Sequence, residues 1–194
     1  MKEQVDSKIT DLADLIVQLA RLGQSTAHGT GALPLTIAQW TALRYFARAN
    51  RFSRTPSAFS DFHATTRGTA SQTVKSLVAL GLLTRQTHER DGRSTVIEVT
   101  EAGHTQLRND PLGDLRNILG SLPEATQRDL TVALSQAIAD MAQKRSAPIF
   151  GTCGDCDHLD RASSYCHCTQ SLLTPAEMQA ICVDFQPVKL SNRG

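Results

Sequence analysis

The residues best able to do chemistry crowd one end of the chain. All five cysteines fall within Cys153 to Cys182, and the first 152 residues hold none. Their order is Cys153-x2-Cys156, nine residues, Cys166-x-Cys168, thirteen residues, Cys182. A C-x2-C pair presents two thiolates to one ion across a tight turn, which Gly154 eases. The stretch "LTPAEMQAIC" predicts a short helix capped by Thr174 and Glu177, with Pro175 in its first turn, that returns Cys182 toward the others. Four converging thiolates suit tetrahedral Zn2+ or an iron–sulfur cluster. Five cysteines exceed such a set by one, and His158 and His167 are further conceivable donors, so the spacing alone leaves the ligand set and the metal open. A metal-free dithiol switch is the third alternative.

A second group of residues could read nucleic acid. Thr65, Thr66, Arg67, Thr69, Ser71, Gln72 and Lys75 fall on or just before one predicted helix. Short polar side chains on a helix can approach base edges in the major groove of B-DNA. Arg67 suits guanine or a phosphate, Gln72 suits adenine, and the hydroxyls suit phosphates or cap the helix, capping being the expectation for Thr66. Arg90 and Arg93 lie at a predicted hairpin tip, where an arginine can probe a narrow minor groove; Asp91 is placed to orient Arg93. The net charge is only +1, but residues 44–93 carry nine basic residues against three acidic ones. A locally basic module in a near-neutral chain fits a protein that lays one face on phosphate. No Gly-rich phosphate loop, H-E-x-x-H, nucleophile elbow or triad pattern is present, and His28, His63, His88 and His104 are scattered, so no enzyme is expected.

The elements that must position these groups follow from periodicity. Val5, Ile9, Leu12, Ile16, Leu19 and Leu22 trace one face of a long first helix. Thr36 and Gln39 form a capping box for a second, with Leu35 and Trp40 at staple spacing and Trp40 a core residue. Thr55 and Pro56 start a short third helix; Thr65 or Thr66 caps a fourth, which Gly81 stops. Leu82–His88 and Thr95–Thr100 predict a hairpin around a tip containing Asp91-Gly92. Thr100 caps a fifth helix whose stripe continues through Leu112, Leu115, Leu119 and Leu122. After Pro123 a sixth carries Leu130, Leu134, Ile138 and Met141, and "KRSAPIFGT" reads as a linker. The fold class is mainly α with a small β-wing, a winged helix-turn-helix. The first, fifth and sixth helices have apolar faces wider than one small domain can bury, so a second copy is expected to cover them. Two units follow: residues 1–145 for DNA binding and dimerisation, and residues 146–194 as the cysteine-rich metal-binding tail. At 40% hydrophobic and 5% aromatic, the core should be aliphatic. No apolar run approaches the ~20 residues of a membrane span and no signal peptide is evident, so the chain reads as cytoplasmic and free of the membrane.

Three stretches in order, "LTIAQWTALRYFAR", "TTRGTASQTVKSLVALGLLTR" and "RDGRSTVIEVTEAG", resemble the MarR family of bacterial regulators over roughly residues 5 to 145. The resemblance implies a homodimer of winged lobes held by terminal helices. It also implies binding to pseudo-palindromic double-stranded DNA near promoters, usually to repress, and a small-molecule effector as a further partner. The tail is similar to cysteine-rich extensions carried by some regulators of that family. On that pattern Cys153, Cys156, Cys166 and Cys182 are the ligands and Cys168 is spare or alternate. The expected function is a DNA-binding regulator switched by redox or iron state through an iron–sulfur cluster. A purely structural zinc site, or a zinc-bearing winged-helix module that binds protein instead of DNA, is the alternative.

Overall fold

The computed structural model describes residues 11–25, 33–88 and 91–188; for residues 87, 88 and 91–94 it describes the backbone alone. Helix α1 (Leu12–Gly23) starts at Asp11, whose carboxylate accepts from Ala13 N at 2.8 Å. Helix α2 (Ile37–Arg48) opens with the reciprocal pair read from the sequence: Gln39 N donates to Thr36 Oγ1 at 3.2 Å, and Thr36 N to Gln39 Oε1 at 2.8 Å. Helix α3 (Pro56–Phe62) is capped by Thr55. A tight turn follows, with Ala64 in the left-handed region at φ 48°. Thr66, not Thr65, then caps α4 (Arg67–Ala79) by accepting from Thr69 N. Gly81, at φ 71°, ends that helix and turns the chain into the wing, where β1 (Leu83–His88) pairs antiparallel with β2 (Asp91–Val99).

Three expectations are corrected here. Asp91 pairs with His88, so Asp91-Gly92 belongs to β2 and is not the hairpin tip. The fifth helix is two: α5 (Glu101–Leu107) and α6 (Leu112–Gly120). Pro111 has no N–H to continue the ladder, and Asp110 turns its carboxylate back to accept from Leu112 N at 3.0 Å. The same carboxylate holds Arg44 of α2 and Arg116 of α6, each at 3.0 Å. The core, third, is not simply aliphatic. Tyr45, Phe46 and Phe59 meet with ring centroids 5.2 to 5.6 Å apart, beside fully enclosed Trp40. Most of the few aromatics gather around α2 and α3, packed with buried aliphatic residues such as Leu43, Val74, Leu77 and Ile97.

Helix α7 (Glu124–Arg145) is the longest and buries none of its residues within the chain. Leu12, Ile16 and Leu22 of α1, Ile118 of α6, and Val132, Ile138 and Met141 of α7 are all at least half exposed. Among the described residues no helix is long and apolar enough to cross a membrane.

The tail is made of very short pieces. Strand β3 (Gly151–Thr152) pairs with β7 (Ile181–Cys182), and β4 (Leu159–Asp160), β5 (Tyr165–Cys166) and β6 (Ser171–Leu172) form a small meander. Helix α8 (Pro175–Met178) has the capping box of Thr174 and Glu177 expected for it. The stretch expected to link the tail is itself packed: Phe150 meets Phe62 edge-on at 5.1 Å. Ile181 is 7% exposed and belongs to the same apolar cluster as Tyr45 and Phe46.

Candidate DNA-reading face and cysteine centre

Helix α4 turns Ala70, Val74 and Leu77 into the core. At 100° per residue this leaves Gly68, Gln72 and Lys75 on the opposite side. Arg67, Thr69, Gln72 and Lys75 are exposed, whereas Thr65 and Ser71 are half-buried. Thr66 and Thr69 are engaged with each other at the helix start, Oγ1 to Oγ1 2.9 Å. Arg67 and Lys75 form no ion pair among the described residues, so their charges face solvent. Arg90 lies outside the described residues. Arg93 stands in β2, with its side chain outside the description. The base of the wing is held firmly: Arg54, in the α2–α3 segment, donates to both oxygens of Glu98 at 2.9 and 2.7 Å.

In the tail, Cys153, Cys156, Cys166 and Cys182 are buried and Cys168 is exposed. All five line one small cavity, with His158 and Asp184 at its edge; His167 is exposed and stacks edge-on against Tyr165 instead. The Cys153–Cys156 loop is a one-turn 3-10 helix, closed by Cys156 N donating to Cys153 O at 3.2 Å. Gly154 is tight against Met178 O, which a Cβ would meet at 3.2 Å. Strand pairing of β3 with β7 puts Gly151 opposite Cys182, which brings Cys153 alongside it.

The sulfurs have hydrogen-bond donors directed at them. Asn50 Nδ2 donates to Cys153 Sγ at 3.4 Å, and Gln186 N to Cys156 Sγ at 3.4 Å. Cys182 also takes bonds from Asn50 and from the Asp184 backbone. Cys153 and Cys182 bond each other. That bond, joined by the surrounding donors, holds Cys182 below the ordinary thiol range. The same bond, followed by burial, pushes Cys153 above it. Burial pushes the Cys168 thiol up as well. Among the described residues no three His, Cys, Asp or Glu side chains are grouped as ligands of a metal ion. The donor set nevertheless fits a metal group: four buried sulfurs line one cavity, and the N–H donors at three of them would support the thiolates that a metal requires.

Asn50 was not singled out in the sequence. It is 1% exposed and 103 residues from Cys153 in the chain. The only local signal is an amide between Ala49 and Arg51 just beyond a helix end, which reads equally well as a simple turn.

A short helix, a tight turn, an exposed-faced helix and a two-stranded wing define a winged helix-turn-helix protein. Residues 33–94 match the MarR family model. The structure is similar to that of the transcriptional regulator SlyA, at 20% identity and a TM-score of 0.56, covering 70% of this chain and 96% of that one. It is also similar to a MarR/EmrR family transcriptional regulator from Acinetobacter sp. ADP1, at 20% identity and TM-score 0.55, covering 68% and 92%. MepR from S. aureus in complex with DNA gives 14% identity and TM-score 0.53, covering 66% and 92%. No curated protein matches the chain by sequence.

Proposed function

We propose that the chain is a homodimeric, sequence-specific DNA-binding transcriptional regulator, acting as a repressor, with an iron–sulfur cluster held by its C-terminal cysteines. The observation that carries the DNA reading is the outer face of α4, where Arg67, Gln72 and Lys75 stand exposed and, among the described residues, the two cations have no ion pair to give up. MepR, which shares the fold, is described in complex with DNA. The exposed apolar faces of α1, α6 and α7 support a second copy as their cover. A two-fold dimer reads two half-sites about one turn of DNA, ~34 Å, apart, hence a pseudo-palindromic operator. The proposed regulator acts by binding, in keeping with the names of the transcriptional regulators that share its fold, and is read as no enzyme.

The test is an electrophoretic shift of the duplex upstream of the chain's own gene, at two salt concentrations. A shift that weakens steeply with salt and resists nonspecific competitor is expected. No shift at either salt would leave the winged helix as a protein-binding module.

Four buried thiols around one cavity, three of them with N–H donors, support the metal centre. Zinc bonded to sulfur at about 2.3 Å holds its ligands about 3.8 Å apart, whereas a cluster spreads them more widely. When bound, a cluster would supply sensitivity to redox state or iron supply. A structural Zn2+ is the second reading, favoured by the contact between Cys153 and Cys182 and by a tail too small to fold alone. Protein purified without oxygen decides between them: a broad absorbance near ~400 nm means a cluster, colourless protein with stoichiometric zinc means the second reading, and colourless metal-free protein overturns both.

A further inference from the structure

A passive appendage would touch the winged helix where it is attached, at the end of α7. The cysteine centre instead packs on the turn between α2 and α3, about 100 residues back along the chain. Asn50 N donates to Ile181 O at 2.9 Å, Val183 N donates to Ser53 Oγ at 2.9 Å, and Arg51 pairs with Glu177 at 2.8 Å. This turn leads directly into Thr55 and α3, and Arg54 within it holds both the wing, through Glu98, and the end of α2, through Ala49 O. Asn50 occupies the middle of the contact with both ends of its side chain used. Its Oδ1 accepts from Phe52 N at 3.1 Å and Ser53 N at 2.9 Å, which shapes the turn, while its Nδ2 donates to Cys153 Sγ.

We propose that Asn50 is the positioning residue through which the state of the cysteine centre is imposed on the DNA-reading helices of the same protomer. The inference rests on the metal-centre reading above and names the route of its regulation. A Cys153 thiolate held by a metal would be a fixed acceptor for the Asn50 amide; a released thiol can turn away, which would leave Asn50 held only through Oδ1 by Phe52 and Ser53 and the turn less firmly tied at the entrance to α3. Coupling then runs inside each protomer and does not need the rotation of the terminal helices.

The experiment uses the full chain. Asn50→Asp keeps an oxygen where Oδ1 accepts from Phe52 and Ser53, and replaces the donor to sulfur with an acceptor. Wild type and variant are purified without oxygen and analysed for metal. Each is then stripped with chelator and reloaded in parallel with Zn2+ or with Fe2+ and sulfide. Two quantities are read: the rate of metal release to chelator, and the ratio of operator affinities between loaded and stripped protein. The variant is expected to release metal at least about tenfold faster, as loss of an outer-sphere donor does, and its affinity ratio is expected to fall toward one. Wild-type values for both overturn the inference, as does fast release with an unchanged affinity ratio, since Asn50 would then serve only the centre. Should Asn50→Asp fail to fold, Asn50→Ser is read in the same way, because its hydroxyl can accept from Ser53 N but is too short to reach Cys153. A wild-type chain that takes up neither metal fails at the first step, which marks the failure of the metal reading itself.

Discussion

Single residues carry sharply different burdens in this protein. Gly103 sits in the first turn of α5, where its N–H bonds Thr100 Oγ1 at 3.1 Å. A Cβ there would lie 2.3 Å from Leu82 O, a backbone atom, and 2.7 Å from Val99 Cγ1. This is the physical content of the T-x-x-G spacing after the wing: Thr caps, and Gly lets the helix lie against the start of β1. Gly103→Ala is expected to cost about 1–3 kcal/mol through forced shifts of that contact, measured as a fall in the urea midpoint at unchanged slope. On α4 the expectation concerns recognition instead. Gln72→Ala should relax base preference at particular operator positions, at about 1–3 kcal/mol, while Lys75→Ala should weaken binding evenly and lower the slope of log affinity against log salt by about one. Equal behaviour of both variants and wild type on a randomised operator library would sink the assignment of α4 as the reading helix.

At the scale of elements, two joints matter. The first is Asp110, which clamps α2 and α6 together across the break after α5; its side chain is 5% exposed and that of Arg44 is 13% exposed. Removing the carboxylate leaves a largely buried guanidinium, whose pKa burial already lowers despite the neighbouring carboxylate. Asp110→Ala should therefore cost about 3–5 kcal/mol, and a thermal midpoint within a degree or two of wild type would show the clamp to be dispensable. The second joint is the tail on the α2–α3 turn. Ile181 fills a site in the apolar cluster of α2 and α3, so Ile181→Ala is expected to cost about 2–4 kcal/mol. The loss should appear in unfolding of the winged helix itself, followed by hydrogen exchange of α2 amides, and not in the tail alone.

For the whole molecule, the apolar faces that α1, α6 and α7 expose among the described residues are the basis of the proposed dimer. Val132 is 70% and Ile138 64% exposed, on a helix that buries nothing within its own chain. An obligate interface over these helices would bury more than ~2,000 Å², mostly apolar. Ile138→Asp should shift the protein to monomer by light scattering at micromolar concentration and reduce operator affinity together with it, because two half-sites are then no longer engaged at once. A wild-type chain that scatters as a monomer would remove the basis for a palindromic operator.

What the sequence determined alone is local. Thr36 with Gln39, Thr55 with Pro56, Thr66, Gly81, Thr100, and Thr174 with Glu177 all end or start elements as their spacing requires, because a helix terminus must satisfy its free N–H and C=O groups within a few residues. The crowding of cysteines was equally plain, since it is a property of the sequence itself. Tertiary structure decided the rest. It separated buried Cys166 from exposed Cys168, two positions apart, because Cys166 ends β5 while Cys168 lies in the turn beyond it, where the same-face rule for every second strand residue no longer holds. It broke the apolar stripe after Thr100 into two helices, since a periodic pattern does not register a carboxylate held by Arg44 from 66 residues away. It drew six of the nine aromatics, Trp40, Tyr45, Phe46, Phe59, Phe62 and Phe150, into one cluster. Above all, it seated the cysteine centre on Asn50, 103 residues before Cys153. Hydrogen bonds and packing over such separations leave no period in the sequence, because they join surfaces that meet only once the chain has folded.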